Sequence, residues 1–201
     1  VKKEKNVGYN YSNNAILSYY YLSVLASHRF LGMTIQEQLP WKQINDDTLS
    51  FFRAIGVDYL AVNPAPDMRD GIDRVDYWST IKALTEKNGL ELTNVAATGW
   101  DEISLGLPDR DEKIAAWCTM LRNLGEVGVP TLGWNFKPMG NFRTTSTPPG
   151  RGNASYSTFD YEEFMRSPPF DPDKEISDEK MWENLKYFLE RVIPVAEKNG
   201  V

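Results

Sequence analysis

Four times along this chain a short apolar run alternates with an amphipathic stretch of helical period, and that rhythm leaves few folds open. Strands and helices alternating at similar spacing imply parallel strands joined by right-handed crossovers. The segment 98–143 shows the unit most clearly. A loop ends in Leu107, Pro108, Asp109, Arg110 and Asp111, and a helix follows to about Val127. Ile114, Trp117, Cys118, Leu121 and Leu124 fall on one stripe of that helix, so they are its expected buried face. Gly128 stops it, and 129–136 reads as a strand that runs into Asn135, Phe136, Lys137 and Pro138.

The rest of the chain fits around this unit. Residues 33–39 alternate apolar and polar and predict a strand ended by Pro40. Asn45 or Asp46 caps a helix to about Ile55, with Leu49, Phe52 and Ile55 on its inner face. A second strand is expected over 57–63, a helix over 74–87 with Val75, Trp78, Ile81 and Leu84 facing inward, and a third strand over 90–97. Residues 137–177 carry many Gly, Pro, Ser and Thr and read as a long loop, functional or disordered. Ser177 or Asp178 then caps a helix to about Lys198, with Trp182, Leu185, Phe188, Leu189 and Val192 inward and Pro194 bending its last turns. Val201 stands where a fifth strand would begin.

An open doubly wound sheet and a closed barrel both fit this pattern. No Gly-x-Gly-x-x-Gly follows any strand, so a dinucleotide fold loses support. Four units are half of an eight-fold barrel. A half-barrel leaves two strand edges open and uncovers its inner layer, expected here to be apolar. The chain alone is therefore expected to associate or to be poorly soluble.

Charge and composition remove several function classes. A net charge of −6 argues against a nucleic-acid partner, which needs a basic surface. No apolar run approaches the length of a membrane span. The single cysteine, Cys118, rules out a disulfide within the chain, and its place on the helix stripe makes it a core thiol. With one histidine besides, His28, the chain cannot build a His/Cys metal site. His28 lies in residues 1–32, a segment set apart from the rhythm. That segment reads as an extension, poorly ordered or helical, with a leader-like run as the alternative. The domain itself is expected over 33–201.

Four stretches carry a resemblance: 103–114 (ISLGLPDRDEKI), 121–125 (LRNLG), 134–138 (WNFKP) and 142–144 (FRT). Together and in this order they resemble the mannonate dehydratase family, over about 33–201. The resemblance implies a (β/α)8 TIM barrel of the xylose isomerase-like group, of which this chain carries about the first four βα units and stops before strand five. It implies loss of water from D-mannonate to give 2-dehydro-3-deoxy-D-gluconate, in hexuronate breakdown in the cytoplasm. It implies Mn²⁺ or Fe²⁺, held by His, Cys and Asp side chains on later strands, with the acid and base groups also beyond residue 201. It implies a homo-oligomer when complete. This chain is then an N-terminal fragment, inactive alone, holding the first half of the substrate pocket and no metal ligand.

Within that half, Asn135 stands at the carboxyl end of the fourth strand, where its amide is suited to bond a sugar hydroxyl. Arg143 offers a guanidinium for the hexonate carboxylate, with Arg151 as a second candidate and Lys137 as a charge partner at the same rim. Trp100 follows strand three, as a plain core or rim tryptophan or else as a wall of the pocket. Asp109, Arg110 and Asp111 sit at a helix start and are read as structural. Two other functions remain open: a sugar isomerase or epimerase on the same barrel, and a non-catalytic half-barrel acting by binding or assembly.

Overall fold

A computed structural model describes residues 34–66, 70–138, 141–144, 150–153, 157–166, 168 and 171–201. The extension 1–32, with His28, and Met33 at the expected start of the first strand lie outside the described residues. Within them the elements run β1 Gln36–Pro40, α1 Asp46–Ala54, β2 Tyr59–Asn63, α2 Val75–Lys87, β3 Glu91–Ala96, α3 Asp101–Leu105, α4 Arg110–Val127, β4 Leu132–Gly133, α5 Tyr161–Arg166 and α6 Asp178–Asn199. The four strands form one parallel sheet in the order β1-β2-β3-β4. This is the α/β arrangement expected of the first four units of a (β/α)8 barrel.

Local chemistry explains the boundaries. The Asn45 side chain accepts from the Thr48 backbone N–H at 3.0 Å and starts α1. Ser177 does the same for α6, accepting from the Lys180 N–H at 3.2 Å. Pro194 lies inside α6, which continues through it to Asn199. Three expectations need correction. The fourth strand is two residues long rather than spanning 129–136. Pro130 has no N–H for a ladder, and the Gly133 N–H also meets the Asn94 side-chain oxygen at 3.1 Å. Pro40 is the last residue of β1 rather than the residue that ends it, which edge position permits. The segment read as one loop after residue 136 contains α5 and two 3-10 turns, Arg151–Asn153 and Pro172–Lys174, and the loop before Asp109 contains α3.

The core lies between the sheet and its helices. Leu39, Leu60, Val62, Leu92 and Val95 leave one face of the sheet and meet Leu49, Trp78, Ile81 and Leu124 from α1, α2 and α4. The expected α4 stripe is buried at every position named, from Ile114 to Leu124. The expected inner faces of α1 and α6 are less regular. Ile55 is 61% exposed, and Trp182 is 70% exposed. On α6 the buried residues are Asn184, Phe188 and Val192, which pack toward α4 and α3; Trp182 faces away from both.

The opposite face of the sheet is polar, and this overturns the expected apolar inner layer. Pairing sets Gln36 beside Tyr59, Gln38 beside Ala61 and Pro40 beside Asn63 on the face away from the helices. One extra residue in β3, Thr93, bulges between the partners of Leu60 and Ala61. The bulge brings the Thr93 hydroxyl onto this face, where it donates to Gln36 Oε1 at 2.9 Å.

Candidate functional site

The carboxyl ends of β2, β3 and β4 open on one rim, the side where barrels of this kind place their sites. Beyond β3 the chain passes Gly99 and Trp100 and enters α3; beyond β4 it passes Trp134, Asn135 and Phe136. The two loops touch at Gly99. A Cβ there would sit 2.2 Å from the Asn135 carbonyl oxygen, so only glycine allows this approach. The contact holds Asn135 beside Trp100, and both line a small cavity of about 10 Å³ with Ile103, Trp117, Phe136 and Phe188, room for one water-sized group such as a hydroxyl.

Edge-on aromatic contacts build the wall. Trp100 meets Trp117 at 5.4 Å between ring centres, Trp117 meets Phe188 at 5.6 Å, and Phe188 meets Trp134 at 5.2 Å. Asn135 is half-buried, and its side-chain amide bonds to no other described residue. An amide left open at the mouth of an apolar pocket is suited to a hydroxyl of a ligand.

Of the residues singled out in the sequence, the structure brings Asn135 and Trp100 together. Lys137 is half-buried and donates to Asn141 Oδ1. Arg143 is exposed and donates to the neighbouring Phe142 carbonyl at 2.7 Å. Arg151 is exposed on its 3-10 turn. The segment that carries these cations is tied down at two places. The Thr144 N–H donates to the Thr158 carbonyl at 3.0 Å, and Lys174 pairs with Asp101 of α3 at 2.6 Å. The hydrogen bond to Asp101, with its charge, holds the Lys174 ammonium above its usual range, so this tie stays charged across the neutral range.

Asp109, Arg110 and Asp111 are structural, though not through capping. Asp109 is at the N-cap position of α4, but its side chain accepts no hydrogen bond from the helix. Asp111 instead accepts from the Tyr187 hydroxyl at 2.7 Å. The Arg110 guanidinium lies 3.6 Å from the centre of the Tyr187 ring, which Arg191 also covers at 3.2 Å. Arg110 further donates to Asn184 Oδ1 at 3.4 Å, and the Asn184 amide donates to the Ser104 carbonyl at 2.9 Å. Asn184 is 1% exposed, so α6 reaches under α3 through a buried amide bonded at both its oxygen and its nitrogen.

Cys118 is buried, and burial pushes its thiol up, opposed in part by Arg122. Ellman's reagent at neutral pH is expected to react with it no faster than the chain opens; a rate like that of free cysteine would show that the α4–α6 seam is not closed. Since the folded thiol ionises later than the unfolded one, its contribution to stability is full below the ordinary value of 9.0 and is lost as pH rises beyond it.

Two polar residues at this rim were missed in the sequence. Gln38 Nε2 donates to Asn63 Oδ1 at 3.0 Å, and Asn63 Nδ2 donates to the Ala96 carbonyl at 3.0 Å. The available signal was a polar residue ending the apolar run of β2, and Gln at alternate positions of β1.

Comparison with known proteins agrees with the fold. The model of the family described as "D-mannonate dehydratase (UxuA)" matches residues 56–168 and 160–201. Mannonate dehydratase from Endomicrobium trichonymphae is 30% identical over 133 residues, covering 50% of this chain and 36% of that protein. Mannonate dehydratase from Thermotoga maritima is 30% identical over 154 residues, covering 60% of this chain and 42% of that protein. The crystal structure of mannonate dehydratase from Streptococcus suis serotype 2 superposes with a TM-score of 0.71 at 26% identity, covering 84% of this chain and 52% of that one. The chain thus spans well under half the length of these curated relatives.

Proposed function

The chain belongs to the D-mannonate dehydratase (UxuA) family, and from that premise we propose that it supplies the first half of the substrate pocket of a mannonate dehydratase. The observation that carries this reading is the open Asn135 amide beside Trp100, at the carboxyl ends of the parallel strands. A sugar acid needs neutral donors and acceptors for its hydroxyls and a cation for its carboxylate. Asn135 supplies the first and Trp100 walls the carbon chain. Arg143 pairs with the carboxylate, with Arg151 and Lys137 as further cations on the same segment.

The reaction is loss of water from D-mannonate. A proton leaves C2, hydroxide leaves C3, and the enol that remains becomes 2-dehydro-3-deoxy-D-gluconate. A divalent metal, Mn²⁺ or Fe²⁺, supplies Lewis-acid stabilisation of the substrate oxygens when bound. The described residues do not fit it: no group of three His, Cys, Asp or Glu among them is placed to hold an ion. We therefore assign this chain the binding of the substrate and not the proton transfers. The complete protein is proposed to be a cytoplasmic homo-oligomer that takes D-mannonate and neither nucleic acid nor membrane. No helix among the described residues is long and apolar enough to cross a membrane.

The test is the complete protein with D-mannonate and Mn²⁺, following 2-dehydro-3-deoxy-D-gluconate by the periodate–thiobarbiturate colour. Turnover is expected, and Asn135→Ala should lower kcat/KM about tenfold, the worth of one hydrogen bond to a hydroxyl. No turnover of D-mannonate, with interconversion of an aldose and its ketose when a free sugar is supplied instead, would replace this reading with an isomerase.

A further inference from the structure

We infer that Gln38 and Asn63 form a second hydroxyl-recognition point, on the far side of the β3 end from Asn135, and help set which sugar acid is accepted. This rests on the reading of the pocket given above. Asn63 is the last residue of β2, and its amide is held on both sides. It donates to the Ala96 carbonyl at the end of β3 and accepts from Gln38 of β1. Each carboxamide has two N–H groups and an oxygen with two lone pairs. Within the pair, one N–H of each residue and one lone pair of Asn63 are used, so each keeps an N–H and acceptor capacity for a ligand.

The sheet does not require this pair. Ala61, beside Gln38 in register, is buried on the same face with no polar group, and the strands there are joined by their backbones. Gln38 is exposed, so its bond to Asn63 adds little to stability and much to the orientation of both amides. Neutral amides suit hydroxyls, which both donate and accept. The ends of β2 and β4 lie two strand spacings apart, about 10 Å. A six-carbon acid with hydrogen bonds at both ends can bridge that gap. With the reaction at C2 and C3, the hydroxyls free for recognition are those at C4, C5 and C6.

The experiment measures kcat/KM of the complete protein with D-mannonate and with its 4-, 5- and 6-deoxy analogues, for the wild type, Gln38→Leu and Asn63→Ala. Removing one of these hydroxyls should cost the wild type about tenfold. Gln38→Leu should lose about tenfold on D-mannonate, through KM with kcat kept, and show no further loss on that one analogue. A residue that merely supports the fold would lose the same factor on every substrate. Asn63→Ala should behave alike; it also removes the bond to Ala96, so if it does not fold, Gln38→Leu decides. A wild type that turns over D-mannonate while Gln38→Leu stays within twofold on every substrate overturns this inference alone. A wild type that does not turn over D-mannonate overturns the pocket reading and this inference with it.

Discussion

Trp117→Ala is expected to destabilise the fold by about 4 kcal/mol and lower the melting temperature by about 12 °C. Trp117 is 2% exposed and is the junction of two edge-on contacts, to Trp100 on the pocket side and to Phe188 on α6. Truncation leaves a cavity that neither ring can fill without leaving its position. The near-ultraviolet circular dichroism should also lose intensity, because the Trp117 indole and its coupling to Trp100 are removed. Thermal melts followed by both signals check this. A shift under 4 °C would mean that the aromatic wall is not packed as described.

Gly106→Ala should destabilise by about 3 kcal/mol, about 1 from the backbone and about 2 from a clash. Gly106 ends α3 in the left-handed conformation, with φ of +73°, where a Cβ costs about 1 kcal/mol. That Cβ would also meet the Asn184 side chain at 2.7 Å, and Asn184 cannot move without abandoning Ser104 and Arg110. A double-mutant cycle separates the causes. Asn184→Ala is itself destabilising, since it strips the Ser104 carbonyl of its partner. In its background, however, Gly106→Ala should cost only about 1 kcal/mol, the backbone share alone. Equal costs in both backgrounds would show that the two residues are not in contact.

Much of the fold was legible because helical period and glycine stops survive in a single sequence. The stripe of α4 and the stop at Gly128 follow from periodicity and punctuation, and the structure keeps them. Trp182 was misjudged because α6 carries apolar residues on more than one flank. Periodicity cannot say which flank meets α4, and Asn184, a polar residue, marks the buried side. The length of β4 was misjudged because ladder formation depends on partners, and Pro130 has no N–H to offer one. In the site, Asn135 and Trp100 were singled out by their place after strands. Gln38 and Asn63 were not, because their value lies in a bond between strands that no local pattern announces.

The sheet order β1-β2-β3-β4 is also the order in which a ribosome makes the strands. Each strand finds its partner among residues already synthesised, with one helix's length of chain between them. Pairing can therefore advance step by step at the exit tunnel, without waiting for distant sequence. α6 arrives last and seats against α4 and α3 through Phe188 and Asn184. Its arrival is a latch on a sheet that has already been laid down. Stalled nascent chains ending before residue 178 should thus hold the strands but not yet the aromatic wall.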